Sequence, residues 1–394
     1  MMRWLTVLLL GAVLAGCADK RKTLPPADPP PPSTSVSSAR VDHGTLETVS
    51  GVRILTLEGT PEQMGRAAGR FLRGDIRRVV RDMIADGVGA EAEAYANILR
   101  GGGVMEAHQH DDFRREVRAM AEAAGVKVDD LMLLQYFGDV RRCIEGPGSS
   151  AMCTSFAMMP PLTKEKTCIV GRNFDYFDHG VGEYASILVH YKPEGKIPFV
   201  TVTWAGIVNG WTLMNARGLV VSNDTVFEGD NSLKGQSTCF LLRYVAERAR
   251  TVDEGIELVK KADRSCGTAM LIASGDEPDA AIVEFDSKSI AVRRAEHGFV
   301  GADNGFLKLY RRSTGDYYGR IKTAFDLARR HAGRVMIDTP IAEAEGVPIE
   351  SMNLHCVTLD AGARTLRVAM GKIPAYRLPF KTFKLTDAGL VESP

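Results

Sequence analysis

Beyond residue 153 the chain breaks into a long succession of short apolar runs, and this pattern limits what it can fold into more than any other. "CTSFAMM", "CIVGRNF", "ASILVHY", "FVTVTWAG", "WTLMN" and "GLVVSN" follow one another with turn residues between them, and "AMLIAS", "AAIVEF", "IAVRRA", "HCVTL" and "LRVAMG" come later. Each is short, bounded by turn formers and rich in β-branched or aromatic residues, which reads as a strand. Helical patterns occupy residues 237–249, 252–261 and 318–332. Runs of strands with helices between and outside them predict an α+β layered domain rather than regular βαβ alternation.

The upstream part reads differently. In "VRILTLEGTPEQMGRAAGRF" a short strand leads into a helix with Thr60 as N-cap, Pro61 in the first turn and Gln63 three residues after the cap, a capping-box pattern. Residues 111–124 continue the helical pattern and stop at Gly125, and another helix starts near Asp129 or Asp130. Residues 46–152 are therefore expected as a helical amino-terminal segment and 153–394 as a strand-rich domain. "EAHQHDD", with His108 and His110, reads as a polar turn before a helix rather than a metal site, and "GRAAGRF" as close helix packing rather than a phosphate loop.

At the start of the chain, Arg3, an apolar run and "LAGC" resemble a bacterial lipoprotein signal over residues 1–17, with Cys17 as the lipidated residue. The proline- and serine-rich stretch that follows predicts an extended tether over residues 18–45. Export and lipid anchoring to a bacterial membrane are the expected localisation. The 394 residues carry 49 Lys+Arg and 49 Asp+Glu, so no electrostatic case exists for nucleic acid or an anionic lipid surface. None of the seven cysteines forms a CxxC pair, and no metal or other cofactor is expected.

Chemistry concentrates around "AMCTSFA" and "GRNFDYF". A buried cysteine at a strand start is ordinarily a small core hydrophobe. As a nucleophile Cys153 needs a base or a cation, because a thiol of pKa about 8.5 is mostly protonated at neutral pH. None of the eight histidines stands in a signature typical of cysteine–histidine proteases. Cleavage of the Met152–Cys153 bond would give Cys153 a free α-amine, with a pKa near 8, able to take the thiol proton itself. Arg172 and Asp175 could supply a cation near the thiolate and an acid for the amine. Three residues apart on an extended segment, they need a turn or bulge near Asn173 to aim both at one place. His355 beside Cys356 permits a rival, a Cys–His hydrolase without chain cleavage.

Taken in order, "MCTSFA", "GRNFDYF", "GWTLMNARGLVVSND", "ADNGF" and "RRSTGDYYGR" resemble the blocks of the acyl-coenzyme A:6-aminopenicillanic acid acyltransferase (isopenicillin N acyltransferase) family of N-terminal-nucleophile hydrolases, relatives of choloylglycine hydrolase and penicillin V acylase. The resemblance implies a four-layer αββα sandwich, activated by self-cleavage between Met152 and Cys153. It implies Cys153 as nucleophile, Arg172 and Asp175 as the residues positioning thiol and α-amine, Asn304 as side-chain donor to the oxyanion, Asn223 as a second donor through its backbone, and Arg320 as an arginine near the nucleophile. Two departures stand out: Met152 replaces the glycine that often precedes the cysteine, and Gly305 replaces a histidine common after the asparagine. The implied activity is hydrolysis of a small N-acyl amide through an acyl-thioester, with acyl transfer as a variant and the cleaved amino-terminal segment retained as a partner. The alternative of another class is a non-catalytic lipoprotein that binds acylated ligands.

Overall fold

The structure, a computed structural model, describes residues 37–85, 92–146, 152–177, 180–310 and 319–393. The signal, Cys17, the tether up to residue 36, and residues 311–318 of the "RRSTGDYYGR" block lie outside the described residues.

Three strands come first, β1 (Ser37–Val41), β2 (Gly44–Val49) and β3 (Val52–Gly59). The hairpin of β1 and β2 begins inside the stretch expected as a tether over 18–45, so any tether ends before Ser37. "VDHGT" explains the difference: Asp42 and His43, the latter at φ 66°, make a tight two-residue turn between segments that otherwise read as polar linker. Helices α1 (Pro61–Phe71), α2 (Arg73–Val80), α3 (Ala92–Glu106), α4 (Asp111–Ala124) and α5 (Val128–Glu145) follow. The capping box forms as read, Thr60 accepting from the Gln63 backbone N–H and the Gln63 side chain from the Thr60 N–H, and Gly125 closes α4 at φ 70°. His110 precedes α4 and stacks on Tyr244, as a pre-helical turn would have it.

Downstream come β4 (Thr154–Met158), β5 (Ile169–Asp175), α6 (Val181–Ala185), β6 (Ser186–Pro193), β7 (Phe199–Trp204), β8 (Thr212–Asn215), β9 (Leu219–Thr225), α7 (Thr238–Ala246), α8 (Val252–Lys261), β10 (Thr268–Ser274), β11 (Asp279–Phe285), β12 (Ile290–Arg294), β13 (Phe299–Ala302), α9 (Arg320–Arg330), β14 (Asn353–Asp360), β15 (Thr365–Met370), β16 (Lys381–Leu385) and β17 (Leu390–Glu392).

The strands form two sheets, a ten-stranded one in the order β1-β2-β3-β6-β7-β8-β9-β10-β11-β12 and a seven-stranded one in the order β13-β4-β5-β14-β15-β16-β17. Side-chain alternation along each strand assigns the layers. On β9, Val220 joins an inter-sheet core with Val170, Val357, Leu271 and Phe383, whereas Val221 faces the opposite way, to Leu134 of α5 and Leu241 of α7. The outer face of the smaller sheet, with Phe156, Met158 and Cys356, packs on Ala324 and Ala328 of α9 and on Ile341 and Val347 of the following loop. The order is helices, sheet, sheet, helix, and the α+β expectation holds.

The upstream segment is more than helical. Its β3 pairs parallel with β6 from Ile54↔Leu188 to Gly59↔Pro193, so residues upstream of Cys153 supply three strands of the larger sheet as well as some of the helices that cover it, α7 and α8 being downstream.

Candidate active site

At the end of the sandwich where β4 begins, the layer between the sheets turns polar. Ser222 Oγ on β9 donates to Ser155 Oγ on β4 at 3.0 Å, Arg172 Nη1 on β5 donates to Asp224 Oδ1 on β9 at 3.1 Å, Asn304 Nδ2 donates to the Thr225 carbonyl at 2.7 Å, and Thr212 Oγ1 meets His355 Nε2 at 3.0 Å. Three of these links run from one sheet to the other, and that of Asn304 runs from the loop after β13 to β9. Alternation puts them there: Ser222 and Asp224 continue the inward face of Val220, and Arg172 continues that of Val170.

Cys153 lies one residue before β4 at the rim of this seam, 2% exposed. The Met152 backbone N–H donates to the Asp175 carbonyl at 2.7 Å, which registers the Met152–Cys153 peptide against the end of β5. Burial raises the Cys153 thiol above its ordinary range; the Arg172 guanidinium beside it opposes that rise, and the Asp224 and Asp175 carboxylates add to it. The sulfur of the uncut chain is thus a protonated thiol next to a fixed cation.

Arg172 and Asp175 are both fully buried, but no turn or bulge on β5 brings them to one face. Arg172 points between the sheets. Asp175 points to the outer side, accepting from Asn353 Nδ2 at 2.8 Å and from the Ile349 N–H at 3.1 Å, with Arg320 Nη1 at 3.6 Å. The shift in register lies instead on the neighbouring strand, between Asn353 and His355 of β14, and it gives Asp175 its partner Asn353. The two charges reach Cys153 from opposite sides of the strand.

Two acids that sequence reading passed over complete the cluster. Asp224 pairs with Arg172, and Asp303 lies 3.5 Å from Arg320 Nη2. Burial pushes Asp224 up to about 7 even though Arg172 opposes it, since removing a carboxylate from water outweighs what a single ion pair returns. Asp175 is likewise pushed up to about 7 by burial, against its hydrogen bond from Asn353 and the charge of Arg320. A charge at the end of the apolar run "GLVVSND" was the available signal for Asp224.

Of the expected donors, Asn223, named for its backbone, lies on β9 and lines the cavity beside Cys153; its side-chain Oδ1 has no hydrogen-bond partner among the described residues. Asn304 sits behind the cavity wall, its amide nitrogen given to Thr225 and its oxygen accepting from Arg320 Nη2 at 2.8 Å. Arg320 opens α9 and joins Asn304, Asp303 and Asp175.

The rival His355–Cys356 pair fails on strand geometry. As neighbours on β14 the two side chains leave opposite faces: His355 stacks on Phe174 with ring centres 5.0 Å apart, and Cys356 is buried in the outer core with Phe156 and Ile169. Burial also drives the His355 imidazole well below its ordinary range, away from the charged form.

In front of Cys153 opens a cavity of about 330 Å³. One wall is α5, contributing Leu134, Tyr136 and Phe137; another is an aromatic group in which Phe174 stacks on Trp211 at 4.4 Å and Trp204 meets Trp211 edge-on at 4.9 Å. Tyr136 departs from helical backbone within α5, at φ −138° and ψ 22°, where the helix turns along the cavity. Asp139, Arg141, Arg142 and Glu145 add charged groups to the lining. A chamber with apolar walls, a thiol and charged groups suits a molecule with an apolar acyl part and a polar remainder.

Comparison with known proteins bears out the resemblance read in the motifs. Residues 162–327 match the family described as acyl-coenzyme A:6-aminopenicillanic acid acyl-transferase, a stretch that includes Arg172, Asp175, Asn223, Asn304 and Arg320 and begins after Cys153. Protein dcd1A of Dictyostelium discoideum is 22% identical over 273 residues, 61% of this chain, and the match spans 60% of that relative's length. Among solved structures, the Caenorhabditis elegans ortholog of N-acylethanolamine-hydrolyzing acid amidase is 17% identical with a TM-score of 0.45, covering 59% of this chain and all of that one. A mutant of the conjugated bile acid hydrolase from Clostridium perfringens is 11% identical with a TM-score of 0.45 over 62% of this chain and 97% of that one. Penicillin V acylase from Agrobacterium tumefaciens is 12% identical with a TM-score of 0.43 over 61% of this chain and 98% of that one.

Proposed function

We propose that this chain is a self-activating cysteine amidohydrolase of the N-terminal-nucleophile kind, acting on small N-acyl amides. The observation that carries the reading is Cys153 itself: a thiol at a strand start, lining a cavity with apolar walls, beside a buried arginine whose own counter-ion comes from the facing sheet.

In the activating step the Cys153 sulfur attacks the Met152 carbonyl, a C–S bond forms and the Met152–Cys153 C–N bond breaks with the thiol proton passing to the departing nitrogen. Water then hydrolyses the thioester and leaves an amino-terminal Cys153. In turnover the α-amine takes the thiol proton, the sulfur attacks the substrate carbonyl, and the amine product leaves with that proton. Water resolves the acyl-thioester, or a second amine does so in acyl transfer. Arg172 lowers the cost of thiolate beside it. Asp175 orients the amine, and Asn223, which lines the cavity, is the oxyanion donor, while Asn304 holds Thr225 and Arg320 behind it; losing one fixed donor costs about two to three orders of magnitude in rate.

Because the upstream segment supplies strands and cavity walls, it stays bound after the cut. Hydrolysis is favoured over transfer, in keeping with the proposed export and the lipid anchor at Cys17, where coenzyme A thioesters are scarce. The test is a panel of N-acyl amides of increasing acyl length, with acid quench and mass measurement of the protein. Turnover with an acyl adduct on the Cys153 peptide supports the reading; tight binding with neither turnover nor adduct would replace it with a non-catalytic acyl-binding protein.

A further inference from the structure

Helix α5, which walls the cavity, carries a second sulfur feature outside the cavity lining that the proposed chemistry leaves unused. Cys143, half-buried near the end of α5, has its sulfur 3.7 Å from that of Cys266, buried just before β10, and the two are 123 positions apart in the chain. Among the described residues no other two cysteine sulfurs come within hydrogen-bonding distance. Cys168 is enclosed in the inter-sheet core and Cys356 in the outer one.

Neighbours on both sides hold the two backbones in place. Arg142 Nη2 donates to the Val226 carbonyl at 2.6 Å and to the Gly267 carbonyl at 2.8 Å, and Asp139 Oδ2 accepts from the Thr238 N–H at 2.7 Å and from Ser265 Oγ at 3.0 Å. The residues flanking Cys266 are thus fastened to the turn of α5 that precedes Cys143. A disulfide needs sulfurs roughly 2.05 Å apart, a closure that side-chain rotation can supply where the backbones are already registered.

We propose that Cys143 and Cys266 are a reversible disulfide site joining the chain upstream of Cys153 to the chain downstream, through the helix α5 that walls the cavity. The oxidant is a small-molecule disulfide. The more exposed Cys143, as thiolate, attacks one sulfur of that disulfide and expels the first small thiol. Cys266 gives up its proton and attacks the Cys143 sulfur of the mixed disulfide, expelling the second. One S–S bond forms in the protein as one breaks in the oxidant, which is reduced to two thiols that carry away both protons. The bond does not depend on cleavage before Cys153. Its consequence does: in a cut molecule it would hold the two pieces together covalently and pin α5, with Leu134 to Glu145, against the cavity.

The test uses the full purified chain incubated with glutathione disulfide, alkylated, digested without reduction and mapped by mass. The expected result is one cross-linked pair of peptides containing Cys143 and Cys266, lighter than their sum by two hydrogen atoms and separated by dithiothreitol, with Cys266 becoming alkylated in Cys143→Ser. Separate alkylation of Cys143 and Cys266 after oxidant, or either one joined instead to Cys153 or Cys239, overturns the proposal. In a cut protein the pieces co-migrate on a non-reducing denaturing gel in the wild type and separate in Cys143→Ser. If no cut occurs, the peptide map still decides the disulfide, so failure of the proposed cleavage and failure of the disulfide are told apart.

Discussion

The space between the two sheets has an apolar end and a polar one, and a cysteine marks each. Cys168, entering β5, is enclosed by Val170, Leu359 and Ala361. Cys153, entering β4, has Arg172 beside it and a cavity in front. Both are fully buried and both thiols are pushed upward by burial, so burial does not separate them. What separates them is the company: carboxylates alone act on Cys168, whereas a guanidinium acts on Cys153. The proposed nucleophile has a cation beside it and a way in, and the core thiol lacks both.

The comparison is broken most severely at the sulfurs. Cys153→Ala is expected to abolish turnover and the acyl adduct completely, while Cys168→Ala leaves kcat within a few-fold and lowers stability by about 1 kcal/mol, the cost of a small core truncation. Equal losses of activity in steady-state assays would erase the distinction. Next comes the cation. Arg172→Lys keeps the charge but loses the planar fork, and kcat/KM is expected to fall about a hundredfold, with slower alkylation of Cys153 and unchanged alkylation of Cys168 in unfolded controls. Trp211→Ala opens the aromatic wall and is expected to raise KM about tenfold for large acyl groups and little for acetyl.

The smallest effect concerns pH. Asp224 is held at about 7 in the folded protein against an ordinary 3.8, so the folded state binds this proton more tightly than the unfolded one. Its stabilising contribution is complete below the unfolded value and is lost as pH rises through the folded one, at up to about 1.4 kcal/mol per pH unit in that window. Asp175 acts in the same direction. Denaturant midpoints measured at about pH 5 and about pH 8 should differ less in Asp224→Asn than in the wild type; an unchanged difference would remove Asp224 from the account.

Local signals were legible wherever they act within a few residues. The Thr60–Gln63 capping box, Gly125 as the stop of α4, the helix over Val252–Lys261 and the main run of strands follow from periodicity and cap chemistry. The β1–β2 hairpin and the short strands β16 and β17 that end the smaller sheet were not, because pairing partners rather than composition make a polar segment a strand. In the site, Cys153, Arg172 and Asp175 could be named from motif order, but their arrangement could not. Asp224 and Asn353 come from other strands, and cross-strand register decides which carboxylate meets which arginine.

The most direct measurement is the intact mass and amino-terminal sequence of the purified protein beside its Cys153→Ala variant. The account predicts a fragment beginning Cys-Thr-Ser-Phe in the wild type and an unbroken chain in the variant. A wild-type chain that stays whole yet hydrolyses amides would contradict it, because the base assigned to Cys153 would then not exist.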